Sequence, residues 1–385
     1  MTGYRVTAIV LIAAVLIIAG CGDGTRGQRY EKISDGTFPV PSIELEPKRY
    51  LCRRTAEPII IDGRLDDASW NMKWVEWTNS FTDIEGPGKD EPRLRTRARM
   101  LWDKNYFYIG VEMREPHVWA TITGRDETIF HDNDFEVFID PDGDTHEYYE
   151  LEINAFGTEW DLLLVKPYRD GGPAVDSWDI HGLKTAVHVD GTINNPGDSD
   201  KGWSVEIAIP WKTLGECAAG GAPPEEGDIW HVNMSRVEWE MNVVDGRYVK
   251  KTDPETGRPM AENNWVWSPQ GIINMHYPEM WGLVMFTNVM KSFGADSFNP
   301  APVEAARWVL RKVYYAEKTH FIQYGRYSDR FEDLGIEEQD IYGYVWPPVV
   351  EATANQFEAV LKNVDGSSEI VIDHEGKLVM RDLEQ

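Results

Sequence analysis

The chain has 385 residues, of which 42% are hydrophobic, and a formal net charge of −27 at pH 7. This length allows two or three domains of about 150 residues each, and the apolar content is sufficient for a packed core rather than a disordered chain. A protein that binds nucleic acid needs a basic face to neutralise phosphates, so the strong negative charge argues against nucleic acid as a partner.

The first 20 residues predict an export signal. Arg5 precedes an apolar run from Val6 to Ala19, which is shorter than the roughly 20 residues of a membrane-spanning helix. The run ends in the sequence IAGC at residues 18–21, which resembles the lipobox of bacterial lipoproteins. The resemblance implies cleavage before Cys21 and lipidation of its thiol, with an uncleaved N-terminal anchor as the alternative. Both readings place the protein outside the cytoplasm, anchored in the cell envelope at the outer membrane or the cell surface.

Residues 21–47 are rich in glycine, proline and charge, and we interpret them as a tether that holds the following domain away from the membrane. Two further cysteines, Cys52 and Cys217, lie in the exported part of the chain. A disulfide can persist in that environment, so a bond between them and a pair of buried thiols are both open.

Residues 48–290 show the alternation of apolar and polar residues that is typical of β-strands. Turn sequences such as Asp190-Gly191 and Asp245-Gly246 separate the alternating runs. The runs predict strands at 94–102, 105–113, 134–140, 148–154, 160–165, 184–189, 203–209, 228–237 and 281–286. Because no helical segments intervene, we expect a mainly β fold, an antiparallel β-sandwich with a jelly-roll or immunoglobulin-like layout.

Residues 295–385 predict a small α+β appendage. Val303, Ala306 and Leu310 recur at helical spacing in a run that ends at Tyr324, with Gly325 as the stop signal. Short strands are expected at 357–361, 369–373 and 377–380. An amphipathic helix needs a partner surface. We expect an independent domain, with docking on the sandwich as the alternative.

Five motifs follow one another between about Pro58 and Thr287. They are DGRLDDASW at 62–70, WDKNYFY at 102–108, DNDFEVFID at 132–140, GWSVEIAIPW at 202–211, and a closing segment at 267–282 that contains WSP and PEMWG. In this order they resemble the family 9 carbohydrate-binding modules and the wider DOMON-like superfamily. The resemblance implies a non-catalytic β-sandwich whose loops hold a sugar chain end between aromatic side chains.

Sugar binding requires flat apolar faces for the C–H side of a pyranose and polar groups for its hydroxyls. In the loop after Met113, the resemblance points to an aromatic side chain that is either a sugar-binding platform or a buried part of the core. In the strand at 148–154, it points to the position where sugar-binding members carry an arginine. The candidate ligand-binding residues are therefore Trp119, Arg125, Glu152, Asn274, His276 and Tyr277.

Members of the family often hold structural calcium. Asp132, Asp134 and Asp140 offer the carboxylate oxygens that Ca²⁺ prefers, and they are our candidate metal ligands. Acidic residues of this kind also commonly cap strands or lie in solvent-exposed turns.

The expected function is a non-catalytic glycan-binding surface lipoprotein that captures polysaccharide for partner glycoside hydrolases. One alternative is a haem b or electron-transfer module on the same fold, with Met113 and either His231 or Met275 as iron ligands. The other alternative is a glycosidase, which needs two carboxylates about 5–10 Å apart. Glu136, Glu150, Glu152 and Glu206 are its candidates, and their spacing in the chain leaves the pairing open.

Overall fold

The computed structural model describes residues 36–55, 57–288, 298 and 302–383. The predicted signal peptide and Cys21 lie outside these ranges. Within them, no helix has both the length and the apolar character needed to cross a membrane.

Strands account for most of the regular structure in the described ranges. Their bounds are β1 Arg49–Arg54, β2 Thr82–Asp83, β3 Thr96–Trp102, β4 Tyr106–Arg114, β5 Asp134–Asp140, β6 Tyr148–Asn154, β7 Glu159–Leu164, β8 Ala174–Val175, β9 Lys184–Asp190, β10 Gly202–Pro210, β11 Ile229–Glu238, β12 Met241–Val244, β13 Arg247–Lys250, β14 Asn263–Val266, β15 Gly282–Thr287, β16 Val349–Ala352, β17 Phe357–Lys362, β18 Ser368–Asp373 and β19 Leu378–Asp382. The helices are α1 Trp211–Leu214 and α2 Pro302–Tyr324.

One curled sheet forms the body of the protein, with the strand order β8-β7-β6-β5-β11-β15-β1-β3-β4-β10-β9 and with β14 and β2 attached to β11. Its two halves fold over each other, which confirms the prediction of a mainly β sandwich. Every pairing is antiparallel except those of β1, which runs parallel to both β15 and β3. The layout is therefore not purely antiparallel, because β1 forms the seam between the two halves.

The core lies between the two halves and follows from strand alternation. Phe135, Val137 and Ile139 of β5 face Ile109 and Val111 of β4 within one apolar cluster. Burying a side chain of this size contributes about 1.5–3 kcal/mol. Cys52 is buried and Cys217 half-buried, and both are free thiols.

The first and fourth sequence motifs meet at Glu206 of β10. Its carboxylate accepts hydrogen bonds from the amides of Asp62 and Gly63, at 2.9 Å each, and from the Trp70 indole at 2.7 Å. Gly63 has a φ of 86°, and a Cβ at this position would lie 2.6 Å from the backbone of Val187 and His188. The motif pair therefore fixes the N-terminal loop on the sandwich, and Glu206 has a structural role.

Replacing Glu206 by alanine is expected to lower the free energy of unfolding by about 3 kcal/mol, because three donors lose their acceptor and each of the two buried ones costs about 1–3 kcal/mol. Glu206→Gln keeps one acceptor oxygen and should lose less. Urea unfolding of both variants tests this expectation. Equal losses in the two variants would contradict the assigned role.

The C-terminal part consists of α2 and the antiparallel sheet β16-β17-β18-β19. Leu310 and Val313 of α2 pack on Leu361 and Ile372, and the same apolar cluster includes Tyr277 of the sandwich. This shared core differs from the expected independent domain. The apolar face of α2 is wide enough to cover both its own sheet and the closing segment of the sandwich.

Residues 36–47, which we assigned to the tether, also lie against the closing segment. Phe38 is buried in the cluster around α2, and Pro39 accepts a hydrogen bond from the Tyr277 hydroxyl at 3.1 Å. The Ser42 amide donates to the carbonyl of Gly271 at 2.9 Å. A tether that ends at residue 47 is therefore too long, because these residues contribute packing and hydrogen bonds to the fold.

A buried ion pair joins α2 to the sandwich. The His231 imidazole lies 3.0 Å from the Glu304 carboxylate. Burial acts to lower the pKa of His231, but Glu304 outweighs it and raises that pKa above its ordinary value. Burial acts to raise the pKa of Glu304, but His231 outweighs it and lowers that pKa to about 2.

This pair predicts a pH dependence of stability. The His231 contribution is complete below its unfolded pKa of about 6.5 and is lost as the pH rises through its higher folded pKa. The Glu304 contribution is complete above about pH 4.5 and is lost toward pH 2. The stability difference between the wild type and Glu304→Gln should thus be larger at pH 6 than at pH 9, as measured by denaturant unfolding. A difference independent of pH would contradict a charged pair.

Candidate functional site

A row of side chains crosses the sheet on the face opposite to the core. Ser235 of β11 lies opposite Glu136 of β5, which lies opposite Glu152 of β6, which in turn lies opposite Trp160 of β7. Opposite residues of neighbouring strands share a face, with Cβ atoms roughly 5 Å apart. Asp134 is two residues from Glu136 and points to the same side. We call these five residues the outer row.

Strand alternation explains why the row is polar. In β5, Phe135 and Val137 enter the core, so Asp134 and Glu136 point away from it. In β6, Leu151 and Ile153 do the same and direct Glu152 outward. The predicted bounds of both strands, 134–140 and 148–154, are confirmed.

The carboxylates of the row are buried even though they face away from the core. Asp134 is 0% exposed, Glu136 4% and Glu152 1%. Phe130 belongs to a short helical turn that folds against the row, and its amide donates to Glu152 at 2.9 Å. Loops therefore convert this face of the sheet into a sheltered site.

Several polar atoms of the row are buried without a hydrogen-bond partner among the described residues. They are both carboxylate oxygens of Asp134, Oε2 of Glu136, the Ser235 hydroxyl and the indole nitrogen of Trp160. Each such group costs about 1–3 kcal/mol when it is left unsatisfied. Donors and acceptors that converge in this way are typical of a place where a ligand completes the hydrogen bonding.

Burial also changes the acidity of these carboxyls. It raises the pKa of Asp134, and the neighbouring Glu136 raises it further, while the Val237 amide opposes the shift without reaching hydrogen-bonding geometry. Burial raises the pKa of Glu136 to about 7, although the neighbouring Ser235 hydroxyl opposes the shift. Burial and Glu136 together raise the pKa of Glu152 well above its ordinary value. Three full negative charges at this place therefore require a compensating partner.

Two half-buried aromatic rings flank the row. Phe130 and Trp160 have ring centroids 6.5 Å apart with an angle of 29° between their planes. His131 packs beside Phe130, with a centroid separation of 4.9 Å. The flank thus offers the flat apolar surface that the C–H face of a pyranose requires.

Trp119 lies next to this flank, since Phe130 packs on its cluster, but it is covered, whereas Arg125 belongs to a separate group of charges. Trp119 is 4% exposed and packs with Val237 and Trp239 beneath the β12–β13 hairpin. It can act as an open platform only if that hairpin moves away. Arg125 forms ion pairs with Glu159 and Asp161, and so it neutralises a separate acidic cluster.

The closing segment faces the α2 junction rather than the outer row. The His276 imidazole bonds to the Tyr148 hydroxyl at 2.9 Å, and burial with Arg169 lowers its pKa to about 3. Tyr277 lies under the Arg169 guanidinium, 4.1 Å from its ring centroid. Asn274 accepts a hydrogen bond from the His276 amide at 2.8 Å. Tyr148, the partner of His276, precedes Glu152 by four residues, which is roughly 13 Å along the strand. The structure therefore does not bring the candidate ligand residues together.

The candidate metal ligands are also separated. Asp132 uses its carboxylate to hold the amides of Thr121 and Ile122 at 2.7 and 2.8 Å. Asp134 and Asp140 stand at opposite ends of β5, roughly 20 Å apart. Asp140 accepts from the amides of Gly143 and Thr145 at 2.9 Å each. One ion bound by all three, the arrangement expected from the resemblance, does not fit this geometry.

The residues named for haem do not fit a haem site. Both ring nitrogens of His231 are engaged, with the Pro278 carbonyl at 3.3 Å and with Glu304 at 3.0 Å. Met113 is 2% exposed within the apolar core. The Met275 sulfur accepts a hydrogen bond from the Gln270 amide at 3.2 Å.

Sequence reasoning identified two members of the outer row, Asp134 and Glu152, as site residues. It named Glu136 only as a possible glycosidase acid, and it missed Ser235, Trp160 and Phe130. Strand alternation shows which residues share a face of one strand, but the pairing of β11 with β5 joins segments about a hundred positions apart in the chain. The local sequence pattern does not indicate that these two strands pair.

Residues 61–223 match the family model described as carbohydrate family 9 binding domain-like. This stretch of the chain is similar to the domain of that family. The match confirms the resemblance that the motifs predicted, and the family 9 domain carries every member of the outer row except Ser235.

Two enzymes illustrate the relatives of the chain. Endo-1,4-beta-xylanase A of Thermotoga maritima is 23% identical over 192 residues, which cover 50% of this chain and 15% of the enzyme. Exoglucanase XynX of Acetivibrio thermocellus is 25% identical over 155 residues, which cover 40% of this chain and 12% of the enzyme. The chain thus spans only a small part of these relatives.

Two solved structures are among those to which this chain is similar. A family 9 carbohydrate-binding module from Caldicellulosiruptor kristjanssonii in complex with cellotriose is 16% identical, with a TM-score of 0.40 over 66% of this chain and 99% of that chain. A putative carbohydrate-binding protein from Bacteroides uniformis is also 16% identical, with a TM-score of 0.45 over 63% of this chain and 100% of that chain.

Proposed function

We propose that the protein is a non-catalytic carbohydrate-binding lipoprotein whose family 9 domain binds a polysaccharide chain at the outer row. One observation carries the proposal: buried donors and acceptors without partners lie beside two half-buried aromatic rings in a domain of this family. A pyranose presents both kinds of surface that this site needs, an apolar C–H face and a rim of hydroxyls.

The ligand we propose is a β-1,4-linked polysaccharide, with xylan as the first to test. The support is that segments similar to this chain occur in two enzymes named as an endo-1,4-beta-xylanase and an exoglucanase. In this proposal Trp160 and Phe130 contact the sugar face. The Trp160 N–H and the Ser235 hydroxyl donate to sugar oxygens, and the carboxyls of the row accept from sugar hydroxyls.

Affinity electrophoresis tests the function. The wild-type chain is run in native gels that contain xylan, cellulose derivatives or no polysaccharide. We expect retardation in at least one polysaccharide gel. Unchanged mobility in every gel would count against carbohydrate binding as the function.

A second candidate function is glycoside hydrolysis, because Glu136 and Glu152 lie directly opposite each other in the register. One carboxylate oxygen of Glu136 lies within 4.8 Å of one of Glu152, which is close to the about 5 Å between the two acids of retaining glycosidases. However, both side chains project from neighbouring strands in the same direction, whereas the two acids of a glycosidase flank the scissile bond. Release of reducing ends from xylan by the wild type, lost in Glu136→Gln, would favour hydrolysis over binding.

We also propose that the chain is anchored through a lipid on Cys21 and faces the outside of the cell, where it holds polysaccharide near partner glycoside hydrolases. Many anchored copies make individually weak sites effective through avidity. Labelling cells with a radioactive fatty acid should mark the wild type but not Cys21→Ala. Equal labelling of both proteins would contradict this anchor.

A further inference from the structure

Several buried carboxylates elsewhere in the described ranges have a partner that compensates their charge. Glu279 lies 2.9 Å from Arg169, and Glu304 lies 3.0 Å from His231. Glu206 accepts three hydrogen bonds from N–H groups. Asp134 and Glu136 differ, because no described cationic side chain forms an ion pair with either of them, and three of their four carboxylate oxygens are buried without a partner.

One lysine in the neighbourhood of Asp132 is occupied elsewhere. The Lys250 ammonium lies 3.2 Å from the centroid of the Trp239 ring. Burial lowers the pKa of Lys250 to about 8, and the carboxylates that oppose this shift are Asp132 and Glu262. Lys250 is therefore not the counter-ion of the outer row.

Protons alone account poorly for this arrangement. Carboxyls that share a proton form a hydrogen bond with each other, yet both oxygens of Asp134 lack a partner among the described residues.

The spacing of the oxygens suits a metal ion. Asp134, Glu136 and Glu152 each offer one carboxylate oxygen, and these oxygens all lie within 4.8 Å of one another. Oxygens that bind one Ca²⁺ at about 2.3–2.6 Å are separated by at most about 5.2 Å. Three carboxylates supply up to six of the about six to eight oxygens that Ca²⁺ takes.

We infer that Asp134, Glu136 and Glu152 bind a hard divalent cation of the calcium type, and that hydroxyls of the bound sugar complete its coordination. The second half of this inference rests on the proposed function; the first half does not. The site differs from the expected one in that Glu136 and Glu152 replace Asp132 and Asp140.

Calcium binding without sugar tests the first half. The full-length chain, stripped with a chelator, is titrated with Ca²⁺ by calorimetry and with Tb³⁺ by luminescence excited through tryptophan. We expect saturable binding that is at least tenfold weaker in the double variant Asp134→Asn, Glu136→Gln and in the single variant Glu152→Gln. Asp142→Asn and Asp179→Asn are matched controls, because each lies in a separate acidic cluster, and they should bind as the wild type does.

Thermal melting shows whether the variants fold. Ca²⁺ should raise the melting temperature of the wild type and leave that of the double variant unchanged, while the metal-free double variant melts no lower than the metal-free wild type. Absence of Ca²⁺ and Tb³⁺ binding by the wild type overturns the inference. So does a loss of binding in Asp142→Asn or Asp179→Asn in place of the outer-row variants.

Sugar binding with and without chelator tests the second half. We expect retention on the polysaccharide with Ca²⁺ and at least a tenfold loss in excess EDTA. Full retention in EDTA overturns the role of the cation and leaves the proposed function standing. Calcium binding without retention on any polysaccharide supports the cation site and contradicts the proposed function.

Discussion

Alanine at Trp160 is expected to weaken polysaccharide binding about thirtyfold. A central aromatic contact contributes about 2 kcal/mol or more to binding, and every 1.4 kcal/mol is a factor of about ten. Trp160 is half-buried, so its ring has a free surface, and its indole N–H has no partner among the described residues. Calorimetry with xylo-oligosaccharides measures the loss.

Trp308→Ala is the matched control for Trp160→Ala. Trp308 is also a half-buried tryptophan, but it lies on α2 in the C-terminal part. We expect it to bind sugar as the wild type does. If Trp160→Ala binds the sugar with the same affinity as the wild type, the aromatic flank is not part of the binding site. Trp119→Ala should lower the free energy of unfolding, and not only the affinity for sugar, because that side chain is buried under a hairpin.

The second large effect concerns Arg236, which is fully buried between two glutamates. Its guanidinium lies 2.6 Å from Glu115 and 2.8 Å from Glu238, and it also donates to the Arg114 carbonyl at 3.0 Å. Removing one partner of a buried ion pair costs about 3–5 kcal/mol, because the remaining charge stays buried without compensation. Here that applies to Glu115, whereas Glu238 keeps Arg93 at 2.7 Å. We expect a loss of this size in the free energy of unfolding of Arg236→Met.

Neutralising the glutamates should reverse part of this loss. Burial and the neighbouring Glu238 raise the pKa of Glu115 to about 8, although Arg236 opposes the shift. A triple variant with Arg236→Met, Glu115→Gln and Glu238→Gln removes all three charges at once. It should recover at least half of the stability, as measured by urea unfolding. A loss of less than 1 kcal/mol in Arg236→Met (about the median for surface pairs) would show that the charges are not desolvated.

The body of the fold was predictable because strand alternation and turn residues are local signals. The segments at 134–140 and 148–154 became β5 and β6 with the predicted bounds. The same alternation placed Asp134 and Glu152 outside the core. It did not indicate the neighbours of each strand, since pairing depends on contacts between distant segments.

The positions of the candidate ligand residues depended on such distant contacts. Trp119 is buried by residues of the hairpin that ends at Lys250, and Tyr277 is enclosed by the docking of α2. His276 packs against Tyr148 and Tyr168. None of these contacts has a signal in the loops that carry the three residues. The amphipathic pattern of α2 did indicate a partner surface, but it could not specify that the closing segment of the sandwich would be part of it.

The outer row is the central claim of this account, and a crystal structure with a bound xylo-oligosaccharide tests it most directly. We predict a pyranose ring against Trp160 and Phe130, with its hydroxyls about 3 Å from Ser235 and from the carboxyls of the row or an ion held by them. A sugar bound at the 274–277 segment or beside Trp119, with no sugar at the outer row, would contradict the account.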